Sequence, residues 1–382
     1  MAMDSPFRLF SLMAGAICLA VTGCEDAPTT DRADALLTAG DTLRAVQQLD
    51  KLSGSAAAED TVRLGIGRLY ARAGRPQRAE QAFVQAAESV EPAQAATAYT
   101  ALGRLYEHYG RHRDAVAAYG RAIELDSMAV EPLAALGVLA ARTGRDVEAA
   151  SVLERALVLQ PRDAAIWNNL GLVRVQQQDL EGAIRAFGEA LSILPGFAEA
   201  LFNAGMAYGR MGQVDRLVDS FEQLVKLHPD ARGGRTGLAR GYLKLGRHAD
   251  AVALLRQELE LVPRDPEALY YLGQAHLELG ELDSAATSFE RSVLADSLRF
   301  DAYSALGLVR SRQGKMEAAL AAYRRAIVLR PDLSEPRFGL GNLYLRMGRR
   351  EEGLLELQTF ERLQKQSVIR QGQAFRRREG SF

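Results

Sequence analysis

The stretch FDAYSALGLVRSRQGKMEAALAAYRRAIVLRPDL, residues 300–333, decides how this chain of 382 residues is read. Tyr303, Leu306 and Gly307 fall at i, i+3 and i+4, the stripe of one helix face. Gly314 then stands where that helix must stop and the chain needs a left-handed residue. A second helical run places the small Ala319 four residues before the large Tyr323, and Pro331 closes the segment because it ends one helix and turns the chain toward the next. The segment is a helical hairpin of thirty-four residues, and its leucine–glycine pair recurs at that interval at Leu102, Leu136, Leu170, Leu272, Leu306 and Leu340. From Ala96 the register runs without insertion or deletion to Ser367, in eight units that begin at residues 96, 130, 164, 198, 232, 266, 300 and 334. A hairpin of this length cannot bury its apolar face alone, so the units must stack, and function then lies along an extended surface rather than in an enclosed pocket.

Four columns define the unit. Position 15 is glycine at Gly110, Gly144, Gly212, Gly246, Gly280, Gly314 and Gly348, broken by Gln178; position 20 is alanine at Ala115, Ala149, Ala183, Ala251, Ala285 and Ala319. Position 24 carries Tyr119, Phe187, Phe221, Phe289 or Tyr323, and position 32 carries Pro161, Pro195, Pro229, Pro263 or Pro331. These columns resemble the tetratricopeptide repeat family, whose pattern runs through Leu-Gly, Tyr, Ala, Phe and Pro. The resemblance implies an all-α fold, a right-handed superhelical α-solenoid of nine to ten hairpins. A ninth unit from about residue 60 is marked by Gly67, Tyr70, Gly74, Ala79, Phe83 and Ala86 and stretched by two residues around Glu91 and Pro92. Residues 34–59, with Gly40, Ala45 and Leu49, read as a degenerate capping repeat ahead of a solenoid over 60–367. Gly353 and Leu357, in place of alanine and the aromatic, suggest a last unit modified to face solvent.

The glycines at position 8 require a physical reason, since glycine inside a helix costs about 1 kcal/mol against alanine. Eight of them, from Gly67 to Gly341, approach the whole stability of an ordinary domain. Close helix approach, with the position 24 side chain filling the vacated space, is the expected compensation.

The N-terminus carries a separate signal: Arg8, a thirteen-residue apolar run from Leu9 to Val21, then Val21-Thr22-Gly23-Cys24. At about 1.5 Å per residue the run is too short for a bilayer core of about 30 Å, and it reads as a cleavable signal peptide over residues 1–23. The residues before Cys24 resemble the lipobox of bacterial lipoproteins, which implies cleavage before Cys24 and lipid on its sulfur and amine; an ordinary secretory signal is the alternative. Several acyl chains would anchor the protein firmly, with residues 24–33 as a polar spacer. Besides Cys24 the chain holds only Cys18, inside the signal, so the mature repeats contain no thiol for a disulfide.

A net charge of −1 argues against an electrostatic nucleic-acid binder. The local exception is a basic tail over 368–382, with Arg370, Arg376, Arg377 and Arg378, read as a solvated, partly frayed end. Phosphate-loop, nucleophile-elbow, H-E-x-x-H and C-x-x-C motifs are all absent from the sequence. His108 and His112 are four apart but straddle Gly110, so they do not form a metal-ligand pair on one helix face. Glu351, Glu352 and Glu356 read as a solvated face. The chain is therefore expected to be no enzyme and to need no cofactor or metal.

The family resemblance implies a concave groove lined by positions 2, 5, 9, 12 and 13 of each leading helix, with position 6 in some members. In this sequence those positions bring Asn168, Asn169, Phe202, Asn203, Tyr270 and Phe338, and the arginines Arg68, Arg104 and Arg240. Phe202, Tyr270 and Phe338 stand at every second repeat with Thr236 and Ser304 between, an alternation suited to an extended peptide or a glycan chain, although aromatics at position 5 and asparagines at position 6 are also common family consensus. Position 13 is mostly basic and position 2 often acidic, a pattern that the helix dipole alone would favour. No unit has the lysine and asparagine pair with which some relatives clamp a C-terminal carboxylate. The expectation is a membrane-anchored scaffold for protein partners, held as extended or helical segments, facing the periplasm of a bacterial envelope with the choice of membrane open. It resembles the repeat lipoproteins that serve pilus, outer-membrane or exopolysaccharide machinery; the alternative is a glycan-binding module serving a separate enzyme.

Overall fold

The structure is a computed structural model that describes residues 29–53, 60–89 and 91–379, with side chains described from residue 62 onward in the second segment and to residue 369 in the third. Residues 1–23, expected to be a signal peptide, and Cys24 lie outside the described residues. Twenty α-helices and no strand occur among the described residues. The chain divides into two compact units, Met1–Gln177 and Gln178–Phe382.

In the first unit the hairpins are α1 (Thr30–Thr38) with α2 (Thr42–Ser53), α3 (Asp60–Arg72) with α4 (Pro76–Ala87), α5 (Pro92–His108) with α6 (His112–Leu125) and α7 (Val130–Arg142) with α8 (Asp146–Leu159); α9 (Ala164–Gln176) follows. The second unit opens on α10 (Leu180–Ile193) and continues with the hairpins α11 (Ala198–Arg210) and α12 (Val214–Leu227), α13 (Gly234–Lys244) and α14 (His248–Leu261), α15 (Pro266–Glu278) and α16 (Leu282–Ala295). Two more complete it, α17 (Phe300–Arg312) with α18 (Met316–Leu329) and α19 (Glu335–Arg346) with α20 (Arg350–Glu379). Within each unit every helix packs on the next, and each leading helix also touches the leading helix of the following repeat. That second contact makes the stack continuous, and it aligns the leading helices along one surface.

The repeat register maps onto the helices directly: α7, α9, α11, α15 and α17 each begin on the first residue of a unit, 130, 164, 198, 266 and 300. The position 8 glycines are close-approach sites. A Cβ on Gly103 would lie 2.4 Å from Tyr119, on Gly205 2.7 Å from Phe221, on Gly273 2.6 Å from Phe289 and on Gly307 2.7 Å from Tyr323. Those rings are among the most buried side chains of the chain, with Tyr119, Phe221 and Phe289 fully buried, so the lost helix propensity is offset by apolar area removed from water at about 25 cal/mol per Å². In the position 15 column the glycines take φ near +75°, and Gln178 adopts φ +63° in the same role. The break in sequence is therefore no break in backbone geometry; the turn demands the left-handed conformation, and here a non-glycine residue accepts the strain.

Two boundaries differ from the sequence reading. The spacer expected to reach residue 33 ends earlier, because α1 starts at Thr30, where the Thr29 hydroxyl accepts the Arg32 N–H at 3.2 Å and caps the helix. The capping repeat is thus a true hairpin, α1 on α2. At the other end the basic segment continues α20, a single helix of 30 residues that runs from Arg350 to Glu379. No glycine or proline between Gly353 and Gly372 interrupts that helix.

One repeat is built differently. Where five other units begin a helix at their first residue, the sequence Arg232-Gly233-Gly234 delays α13 to the third, and Gly233 sits at φ +77° as its N-cap. Glu258, at the position of α14 held in other units by Ala122, Ala156, Ala190 and Ala326, is fully buried and accepts the Gly233 N–H on Oε1 at 2.7 Å. The carboxylate stands in for the missing first turn and satisfies an N-terminal amide that would otherwise be orphaned.

Candidate docking groove

The leading helices of the second unit enclose an open cavity of about 960 Å³. Its apolar wall comes from Tyr270, Tyr271 and Leu277 on α15, Leu308 on α17 and Phe338 on α19. Leu308 is 36% exposed and Phe338 49% exposed, an apolar surface left open to solvent. Ser304 lies between Tyr270 and Phe338 as the small residue that keeps the floor low.

The walls are set by neighbouring repeats. Tyr270 packs edge-on against Tyr271, with centroids 5.3 Å apart, and tilted against Phe289 at 5.8 Å, while the Arg299 guanidinium lies 4.7 Å from its ring centre. Its hydroxyl accepts from Gln274 Nε2 at 2.7 Å. Burial, with the nearby Asp301 carboxylate second, pushes the Tyr270 phenol up to about 12, so the group keeps its O–H donor at physiological pH and presents an apolar edge. Phe338 leans on Phe360 of α20 at 5.1 Å, which means that the last helix braces the aromatic at the open end.

Charge along this groove is segregated. Arg240 and Lys244 of α13, with His248 of α14, line one end, whereas Glu278, Asp301 and Glu335 of α15, α17 and α19 line the rest. Asp301 is held by Arg299, Nε to Oδ1 3.1 Å.

The first unit has a smaller groove, about 410 Å³, over Ala134, Ala135 and Val138. Its charges bridge successive repeats: Arg104 to Glu131 and Arg142 to Glu107, both at 2.6 Å. Exposed pairs of this kind stabilise by about 0–1 kcal/mol, but they close the groove's polar surface on itself.

Of the residues singled out in sequence, Arg240, Tyr270 and Phe338 are brought together in the larger groove, and Arg104 and Asn169 in the smaller. Arg68 is exposed on α3, apart from both cavities. Phe202 is half-buried, stacked edge-on against Phe221 with centroids 5.5 Å apart, and packs into the core of the second unit; the adjacent Asn203 is half-buried. Asn168 is a correction: it is only 6% exposed, so its side chain is buried in the fold rather than open to the groove. Leu277, Leu308 and Tyr271 were missed because single apolar residues at positions 12, 9 and 6 carry no columnar signal.

No group of three or more histidine, cysteine or carboxylate side chains able to hold a metal occurs among the described residues, and no described helix is long and apolar enough to cross a membrane.

Tetratricopeptide repeat models match residues 30–99, 64–127, 100–160, 148–198 and 236–297 and residues 199–231, and a TPR repeat model matches residues 307–348. The chain belongs to the tetratricopeptide repeat family. No curated protein matches it. Among solved structures it is similar to the APC/C hetero-tetramer Cut9-Hcn1, TM-score 0.54 at 14% identity over 87% of this chain and 79% of that one. It is also similar to pilF of Pseudomonas aeruginosa, TM-score 0.50 at 20% identity over 55% and 96%, and to a tetratricopeptide repeat protein from Parabacteroides merdae, TM-score 0.50 at 19% identity over 65% and 98%. These likenesses are of fold. As a tetratricopeptide repeat protein the chain has the architecture of a protein–protein interaction scaffold, a fold that is typically non-catalytic.

Proposed function

We propose that this chain is a lipid-anchored docking scaffold on the periplasmic side of a bacterial envelope, which holds a peptide segment of a partner protein in the groove of its second unit during assembly, secretion or export. The observation that carries the docking reading is the solvent-open apolar wall over Tyr270, Leu308 and Phe338. The anchor rests on the sequence alone, on the apolar run Leu9–Val21 and the Val21-Thr22-Gly23-Cys24 signal.

A peptide fits this wall better than a glycan does. Sugar rings need flat aromatic faces, and the Tyr270 ring is hemmed in by Arg299, Tyr271 and Phe289. Phe338 keeps an accessible surface, so a glycan reading retains one platform instead of the run of shelves that the sequence suggested.

A photo-crosslinking amino acid at Leu308, in the full chain expressed in bacteria, tests the reading. Defined protein adducts that disappear on Phe338→Ala are expected; adducts with polysaccharide only would replace the scaffold by the glycan module. For the anchor, radiolabelled palmitate should enter the chain and be lost on Cys24→Ser. Equal labelling of both would refute lipidation at that residue.

A further inference from the structure

The geometry points to a partner segment of defined charge order: acidic at the end that meets α13, apolar in the middle and basic toward α19. This rests on the docking reading above and deepens it by naming the chemistry of the occupant.

The argument is one of unpaired charge around an apolar floor. Lys244, at the C-terminal end of α13, makes no ion pair with any described residue, nor do Glu278 or Glu335. By contrast the charged residues Arg104, Glu107 and Glu131 of the first unit's groove are already bridged between repeats. Arg240 is held by its contact to Met206 Sδ at 3.0 Å, a neutral partner that leaves its positive charge uncompensated. Lys244 and Glu278 occupy the same rim position in successive repeats, so the sign of the rim reverses between α13 and α15 over roughly the 10 Å that separates packed helices. Arg312 and Arg346 hold that rim position on α17 and α19 but do not line the cavity.

Such an arrangement recognises direction as well as composition. An apolar floor alone accepts a hydrophobic segment either way round; charges of opposite sign at its two ends make one placement favourable and penalise the reverse by like-charge contact. From α13 to α19 is three helix spacings, roughly 30 Å, which an extended chain covers in about nine residues at about 3.3 Å each.

The test is selection of a displayed library of random twelve-residue peptides, about the length required plus a margin, on the immobilised full chain and in parallel on its Lys244→Glu and Glu335→Lys variants. Both substitutions are at exposed positions, and unchanged helical circular dichroism verifies each fold. Against the unsubstituted chain, enriched peptides should carry Asp or Glu at one end, a Leu- or Phe-rich centre and Lys or Arg at the other. Lys244→Glu should weaken those peptides about tenfold, the effect of about 1.4 kcal/mol, and select peptides basic at both ends; Glu335→Lys should select peptides acidic at both ends. Enriched apolar peptides with no charge order, or equal selection by all three chains, would overturn this inference while leaving groove docking intact. Failure of any peptide to enrich on the unsubstituted chain would overturn both.

Discussion

Gly307 shows how a single position decides between two opposed effects. Alanine is preferred to glycine within a helix by about 1 kcal/mol, so helix propensity alone expects Gly307→Ala to stabilise α17. A Cβ there would stand 2.7 Å from Tyr323 Cδ1, and the Tyr323 ring is nearly fully buried. Overpacking costs about 1–3 kcal/mol, which outweighs the propensity gain. Gly307→Ala should therefore lower the urea midpoint of the full chain, and Gly307→Leu should lower it further; a midpoint raised by alanine would mean that the hairpin relaxes freely at this contact. Position 8 was legible in the sequence because the same constraint recurs in eight units and leaves a column. Asn168 was not legible: its residue type matches a groove position, and only the packing around α9 puts it inside.

At the scale of the element, α13 is the exception that the repeat tolerates. Its 11 residues begin late, on the second of two glycines, and its N-terminus is completed by a carboxylate from α14. Removing a charged acceptor from a buried amide costs about 1–3 kcal/mol. Glu258→Ala should accordingly speed hydrogen exchange at the first amides of α13 and loosen Arg240 and Lys244, which that helix carries into the groove. Exchange rates in α13 indistinguishable from the unsubstituted chain would show that Glu258 is not the cap. The glycines Gly233 and Gly234 were visible as a disturbance of the register, and Glu258 as a departure from alanine. That the two departures compensate each other appears only once α13 and α14 are packed, because the residues are 25 apart in sequence.

Across the whole molecule, buried phenols tie stability to pH. Burial first, then its hydrogen bond to Glu80, pushes Tyr106 in the first unit up to about 12; burial does the same for Tyr270 and Tyr323 in the second, to about 12 each, in Tyr323 against the opposing pull of Arg312 and Arg346. Tyr119 is raised as well, by burial and by the Glu107 carboxylate. An unfolded tyrosine ionises near pH 10, so the folded state binds the phenolic protons more tightly. Their contribution is fully present below about pH 10 and is lost as the pH rises through about 12, where the folded phenols ionise. The urea midpoint should fall steeply over that window, with signals from both units moving together with tyrosinate absorbance. A flat midpoint across the window would mean that these phenols are solvated.

What the sequence determined by itself is everything that a short period can encode: hairpins of thirty-four residues, the glycine that turns each one, the small-against-large pairing across it and hence membership of the repeat family. Each of these is a constraint between residues within a few turns of helix, repeated often enough to be read without a structure. Tertiary packing decided which groove positions remain open. Tyr270 loses its faces to Arg299, Tyr271 and Phe289, Phe338 keeps half of its surface, and Glu278 and Glu335 stay unpaired while Arg104 and Arg142 find carboxylates on neighbouring repeats. Exposure and pairing depend on neighbours one or two repeats away in the chain, brought within contact only by stacking, and a local pattern carries no record of that distance.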